Sequence, residues 1–329
     1  MKVSLVVPCY NEEEAIPVFL SKVSPILDQT NLAYEIVFID DGSKDGTASV
    51  ITQLCDRYPA IRLIELSRNF GKEAAMTAGF SYACGDAIIP IDVDLQDPPE
   101  LIPEMIQKWK RGAKVVHAVR RSRQTDSWIK RSTAGAFYRL MEDITDLKIP
   151  ANCGDFRLMD RTVIQAILSF PERNRFMKGI MAAAGFKAEQ VEYDRPERSA
   201  GQSKFNFWKL WNFALDGITG FSTVPLRVWT YIGGIIALFS FAYAFWIVSK
   251  TLIWGVITPG FATLTSVVLF LGGVQLVGIG VLGEYIGRIV AETKRRPLFL
   301  VDALHGFDER SSSQSVIPLE TAAAARGNY

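Results

Sequence analysis

The residues best suited to do chemistry in this chain are carboxylates. Asp92 and Asp94 stand two apart in Asp92-Val-Asp94-Leu-Gln96-Asp97, directly after the apolar run 87–91. Two carboxylates at that spacing beyond a strand end converge on a hard cation through an open loop, leaving positions for phosphate oxygens and water. Mg2+ or Mn2+ suits such oxygen donors, and a cation there would neutralise charge growing on a departing diphosphate. A second acidic pair, Asp40-Asp41, follows the apolar run 35–39. Carboxylates in that place accept hydrogen bonds from ribose hydroxyls or a base N–H, or they cap the next helix with Gly42 and Ser43. Pro8, Tyr10 and Asn11 close the first apolar run with exposed amides and an aromatic face that suits a pyrimidine ring. Asn69-Phe-Gly71-Lys72 adds a pliable glycine and one cation. An isolated Asp-x-Asp is most often a solvated turn, so the weight rests on the elements that repeat around these clusters.

Those elements alternate. Residues 2–8, 35–39, 61–66 and 87–91 are short apolar runs, and residues 12–23, 46–58 and 71–82 carry apolar side chains at helical spacing. Strands and helices alternating at this length predict an α/β domain, a mostly parallel sheet covered on both faces with ligands bound beyond the carboxyl ends of its strands. Each polar cluster named above falls at such an end. No Gly-x-Gly-x-x-Gly turn follows the first strand, which disfavours a nicotinamide oxidoreductase.

Composition excludes other classes. A formal net charge of +1 over 329 residues supplies no basic field for nucleic acid. Cys9, Cys55, Cys84 and Cys153 form no Cys-x-x-Cys pair and read as reduced core thiols. His117 and His305 have no second histidine at ligand spacing, which argues against a zinc hydrolase. The first residues enter a strand pattern without the regions of a secretory signal, so the acidic clusters are expected in the cytoplasm.

Between residues 228 and 283 the only Lys, Arg, Asp or Glu is Lys250. Two uncharged stretches, 228–249 and 261–283, flank a break at Thr258-Pro-Gly260; each exceeds the roughly 20 residues that cross a bilayer core. They predict a two-helix transmembrane hairpin within 227–289. Arg227 before it, and Arg288, Lys294, Arg295 and Arg296 after it, place both ends in the cytoplasm. Gly272-Gly273 and Gly278-x-Gly280 allow close helix packing, within the hairpin or between copies of the chain in a homo-oligomer. In residues 201–226 aromatic residues surround a narrow polar stripe (Asn206, Lys209, Asn212, Asp216), as in a helix lying in the membrane interface. Residues 1–200 form the expected catalytic domain, and 290–329 a basic segment followed by a disordered tail.

The runs Val-Val-Pro8-Cys-Tyr10-Asn11-Glu12, Asp40-Asp41-Gly-Ser, Arg68-Asn69-Phe-Gly71-Lys72, Asp92-Val-Asp94-Leu-Gln96-Asp97 and Gly154-Asp155-Phe-Arg157-Leu together resemble the inverting family-two glycosyltransferases of GT-A fold. Within them the chain resembles the polyprenyl-phosphate branch, which includes dolichol-phosphate mannose synthases and bacterial bactoprenol glucosyl transferases. Phe205-Asn-Phe-Trp-Lys-Leu-Trp and Gly283-Glu-Tyr-Ile-Gly-Arg288 support the bacterial match. The resemblance implies transfer of a sugar, glucose in the first instance, from a UDP-linked donor to undecaprenyl phosphate, at a bacterial cytoplasmic membrane. Mannose, galactose and an amino sugar are alternative donors. By the same resemblance Pro8, Tyr10, Asn11, Glu12, Asp40, Asp41 and Lys72 would bind the nucleotide. Asp92, Asp94 and Gln96 would hold the metal and diphosphate, and Arg198, Ser203 and Lys204 would form a lid. Arg120 and Arg131 would bind the acceptor phosphate, with the adjacent Arg121, Arg123 and Lys130 as alternatives for that role, and Asp155 would be the catalytic base. A processive polysaccharide synthase is disfavoured, since residues 171–177 lack a Gln-x-x-Arg-Trp motif. A scaffold with a vestigial nucleotide site is disfavoured by Asp92, Asp94 and Asp155 standing together.

Overall fold

The computed structural model describes residues 1–120, 153–172, 175, 177–193, 224–254 and 260–307. They fall in two compact units, one holding the sheet and one holding residues 205–296. The centre of the sheet is four parallel strands: β1 (Lys2–Cys9), β2 (Ala33–Asp40), β3 (Ile61–Leu66) and β4 (Ala87–Pro90). Val3, Leu5, Val6 and Val7 of β1 are all buried, successive residues facing opposite ways, because helices cover both faces. On one face α1 (Ala15–Gln29) and α4 (Ile102–Lys110) bring Ile16, Phe19, Val23, Met105 and Ile106 against Leu5, Val7, Ile36 and Phe38. α2 (Thr47–Arg57) adds Ile51 to that core. On the other face α3 (Lys72–Tyr82) lies so close to β1 and β2 that a side chain at Gly79 would strike Val6 and Ile39. This close seat fixes where α3 begins, and hence where Lys72 stands.

α1 starts at Ala15 rather than at residue 12, because Glu12 and Glu13 are diverted to the neighbouring loop. The Glu12 N–H donates to Thr47 Oγ1 at 2.9 Å, and Glu13 Oε2 accepts from the Gly46 N–H at 2.6 Å. Beyond β4 the sheet reverses. β6 (Cys153–Asp160) runs antiparallel to both β4 and β5 (Val115–Arg120), and β7 (Ala188–Tyr193) pairs parallel with β5 at the far edge. α5 (Arg161–Ser169) and α6 (Met177–Ala183) follow β6. With β8 (Val301–His305) included, the full order is β7-β5-β6-β4-β1-β2-β3-β8. The reversal matters: an antiparallel strand presents its first residues at the edge where its parallel neighbours present their last.

The second unit contains α7 (Val224–Trp254) and α8 (Phe261–Thr293), which meet where Trp229 packs on Gly278, leaving no room there for a Cβ. Gly272, Gly273 and Gly280 face open space. Phe239, Phe245, Leu252 and Leu276 are exposed along the two helices. The segment Phe270–Gly287 is long and apolar enough to cross a membrane by length and composition.

The expectation that all residues after the basic segment form a tail is corrected for 298–307. Val301–His305 is β8, antiparallel to β3, and it covers the edge that β3 would otherwise leave unpaired. The Ser67 N–H donates to Leu300 O at 2.9 Å, and His305 Nε2 lies 2.8 Å from Glu65 Oε1. The Arg62 guanidinium sits 5.1 Å from the Phe307 ring centre, and Tyr82 meets the same ring edge-on. Among the thiols, Cys9 is a core residue as expected, whereas Cys84 is exposed. The expected interfacial helix lies mostly outside the described residues.

Candidate active site

Three loops interlock at the carboxyl edge of the parallel strands. After β1, Asn11 adopts φ 56°; its N–H donates to Ser43 Oγ at 2.9 Å and its Oδ1 accepts from the Lys44 N–H at 2.8 Å. After β2, buried Asp40 accepts from the N–H of Ser43 at 3.1 Å and also from its hydroxyl. Asp41, also buried, turns towards the loop after β3 and accepts from the N–H groups of Phe70 at 2.7 Å and Gly71 at 2.9 Å. Gly42 is required in this turn: its φ is +68°, and a Cβ would lie 2.5 Å from the Arg68 carbonyl carbon. Asp41 thus fixes the two residues that lead into α3.

The first side chain of α3 reaches across the edge. Lys72 Nζ lies 2.8 Å from both oxygens of Asp92, at the end of β4, and 2.9 Å from Asp155 Oδ2, near the start of β6. One ammonium therefore joins two carboxylates from strands of opposite direction. Burial pulls the Lys72 pKa down, but Asp155 and Asp92 outweigh it, and the group is held above its ordinary value. Burial pushes Asp92 up; Lys72 pulls the other way, and Asp155 and Asp94 add to the rise. Glu12 is raised as well, by burial and then by Asp94, Asp45 and Asp92. Negative charge at this edge exceeds what Lys72 neutralises.

Asp94 is aimed by a tight turn. Leu95 has φ 54°, and Gln96 donates to Asp94 through its N–H at 3.1 Å and its side-chain amide at 2.6 Å. Asp97 then anchors the loop to the far edge of the sheet by accepting from the Tyr193 hydroxyl at 3.0 Å. Beside Asp155, Arg157 is buried and donates to Gly154 O at 2.6 Å, steadying the start of β6. The result is a cleft of about 330 Å³ lined by Pro8, Tyr10, Glu12, Asp41, Lys72, Asp92 and Asp94, among others.

Residues 4–168 match the family described as Glycosyl transferase family 2, and residues 224–289 match the GtrB C-terminal hairpin. The chain belongs to glycosyl transferase family 2. This glycosyltransferase is 56% identical over 301 residues to the bactoprenol glucosyl transferase of Shigella phage SfV, covering 92% of this chain and 98% of the relative. It is 54% identical over 301 residues, with the same coverage, to a prophage bactoprenol glucosyl transferase homolog of Escherichia coli K12. An uncharacterised glycosyltransferase of Synechocystis is 51% identical over 311 residues, covering 94% of this chain and 97% of that one. The expected GT-A fold is the fold found, and the protein is a hexosyltransferase.

In the family 2 enzyme the residues picked out from sequence divide into two groups. Pro8, Tyr10, Glu12, Asp41, Lys72, Asp92 and Asp94 line the cleft, and Asp155 joins it through Lys72. Asn11, Asp40 and Gln96 do not line it; they hold the loops and Asp94 in place. Arg120 ends β5 in register with Tyr193. Arg131, Arg198, Ser203 and Lys204 lie outside the described residues. Asn69 and Gly71, quoted from the sequence beside Lys72, line the cleft too, whereas Cys9, Ala75 and Val93 line it and were not assigned a role. No sequence signal marks them, since each is there because of where a strand ends or how α3 is seated.

Proposed function

We propose that this glycosyltransferase moves glucose from UDP-glucose to undecaprenyl phosphate, inverting the anomeric carbon, at the cytoplasmic face of a bacterial membrane. The observation that carries this reading is the bridge from Asp92 through Lys72 to Asp155, which sets donor-side and acceptor-side carboxylates against each other across one edge. The two relatives named for bactoprenol support the acceptor, and the apolar segment Phe270–Gly287 suits an acceptor that lives in lipid.

The chemistry follows from charge. Tyr10, 42% exposed at the mouth of the cleft, offers a ring face to the uracil, with Pro8 and Glu12 beside it. Asp92 and Asp94 fit a divalent cation, being oxygen donors at an edge with surplus negative charge, and Gln96 steadies Asp94. Among the described residues no three His, Cys, Asp or Glu side chains converge as a metal cage, so the protein supplies part of a shell and the diphosphate the rest. Bound Mg2+ or Mn2+ would supply Lewis-acid stabilisation of the leaving diphosphate. The lipid phosphate, a monoester with a second pKa of about 6, is already largely an oxyanion at pH 7. Asp155 therefore orients the acceptor more than it abstracts a proton, and alignment supplies most of the catalysis. Arg120 and Arg131 are assigned to the acceptor phosphate, and Arg198, Ser203 and Lys204 to a loop closing over the donor. Attack opposite the diphosphate converts an α-linked donor into a β-linked lipid product.

The test is a donor panel. Purified protein with undecaprenyl phosphate and UDP- and GDP-sugars should release UDP from UDP-glucose in preference to the others. EDTA should stop the reaction and Mn2+ restore it, while Asp94→Asn should abolish turnover without removing the protein from membranes. Turnover indifferent to EDTA, or preference for a GDP-sugar, would overturn the assignment.

A further inference from the structure

Lys72 is placed for more than charge balance. Its ammonium touches both oxygens of Asp92 and one oxygen of Asp155, and its position is set from behind by the buried Asp41 carboxylate, which holds Phe70 and Gly71. Gly71 itself has φ +95° and open space around it, so the backbone enters α3 by a conformation that side-chain-bearing residues resist. A solvated surface lysine would need none of this support.

We propose that Lys72 is a built-in counter-cation, holding Asp92 and Asp155 together before the donor arrives and yielding Asp92 to the divalent cation when it does. The inference rests on the metal-assisted transfer proposed above and adds an exchange to it. A divalent cation on Asp92 and Asp94 draws on the carboxylate charge that Lys72 neutralises and repels the ammonium, so cation uptake there competes with the lysine. Once Asp92 has turned away, Lys72 remains on Asp155 and keeps that carboxylate fixed for the acceptor. Lys72 is therefore a positioning residue with two opposed effects: it weakens metal binding to the free enzyme and strengthens alignment in the loaded one. No bond is made or broken in the exchange; only ion pairs change partners.

The sign of the first effect makes the proposal testable. Mn2+ alone is titrated into the full-length wild-type protein, Lys72→Met and Lys72→Arg in detergent without donor, following free Mn2+ by electron paramagnetic resonance. Lys72→Met should bind Mn2+ at least about fivefold more tightly than wild type, the lower end of ordinary coupling between sites. Lys72→Arg, which keeps the competing charge, should show no such gain. In turnover, Lys72→Met should lose kcat while its KM for UDP-glucose changes much less. A merely structural lysine would lower Mn2+ affinity on removal, through a disordered loop, and thermal melts of all three proteins report that directly. Lys72→Met binding Mn2+ no more tightly than wild type overturns the exchange and leaves metal-assisted transfer standing. A wild type that takes up no Mn2+ with or without UDP, and ignores chelators, brings both down.

Discussion

Replacing Asp41 by Asn separates two roles that the cleft permits. The carboxylate lines the cleft, yet both its oxygens are engaged by backbone N–H groups, Phe70 at 2.7 Å and Gly71 at 2.9 Å. An Asn offers one acceptor oxygen, so its NH2 would confront the second N–H, donor against donor. A hydrogen bond to a charged group contributes about 1.5–3 kcal/mol, and a buried donor left unmet costs a similar amount. Burial already holds Asp41 above the usual carboxylate pKa, with Phe70 and Gly71 pulling it back, so removing the charge also removes a desolvation penalty. The net loss then falls near the lower figure. About 1.5 kcal/mol is roughly tenfold in the ratio of loops that present Lys72 correctly to those that do not. Steady-state kinetics should show kcat lower by up to about tenfold, and calorimetry should show UDP affinity within about twofold of wild type. Hydrogen exchange should rise at Phe70 and Gly71. A large loss of UDP affinity with kcat preserved at saturating donor would refute this reasoning and make Asp41 a nucleotide ligand.

Acid should weaken the β5–β6 half of the sheet through His117. Burial first, and then Arg157, lower its pKa from 6.5 to about 4, so the folded state favours the neutral ring. That contribution is complete above pH 6.5 and is lost as pH falls towards 4, amounting to about 2 kcal/mol by pH 5. Melts at pH 7.5 and pH 5 should show a smaller acid-induced drop for His117→Gln than for wild type; equal drops would contradict the assignment. Gly306→Ala places a side chain at φ +76° with its Cβ 2.6 Å from Ile61 O, a strain of about 1–2 kcal/mol or more. It should lower the melting temperature and speed proteolysis between residues 294 and 300, and an unchanged melt would mean that β8 contributes little.

The sequence carries the parallel half of the fold plainly, because its message there is local. Each apolar strand is followed at once by its polar cluster, as at Asp40-Asp41 after β2 and Asp92 after β4. What was not legible depends on partners distant in the chain. Lys72 meets Asp155 only because β6 runs against β4, and no periodicity announces the direction of a strand. Asp41 reads as a ligand by its place at a strand end, whereas the N–H groups it serves belong to the next loop. β8 was hidden for the same reason: its side-chain contact joins Glu65 to His305, and five residues beyond a basic stretch hold too little pattern to mark a strand.

The last strand gives the protein a topology with a practical result. The sheet is assembled from chain on either side of the helical pair, so those helices interrupt the sequence of the catalytic fold and do not simply trail from it. A fragment cut ahead of Val224 would lose the cover over β3 and bare a hydrogen-bonding margin ready to recruit another molecule. Newly made protein likewise cannot complete its sheet until both helices have been synthesised, so the β3 edge stays uncovered through that interval.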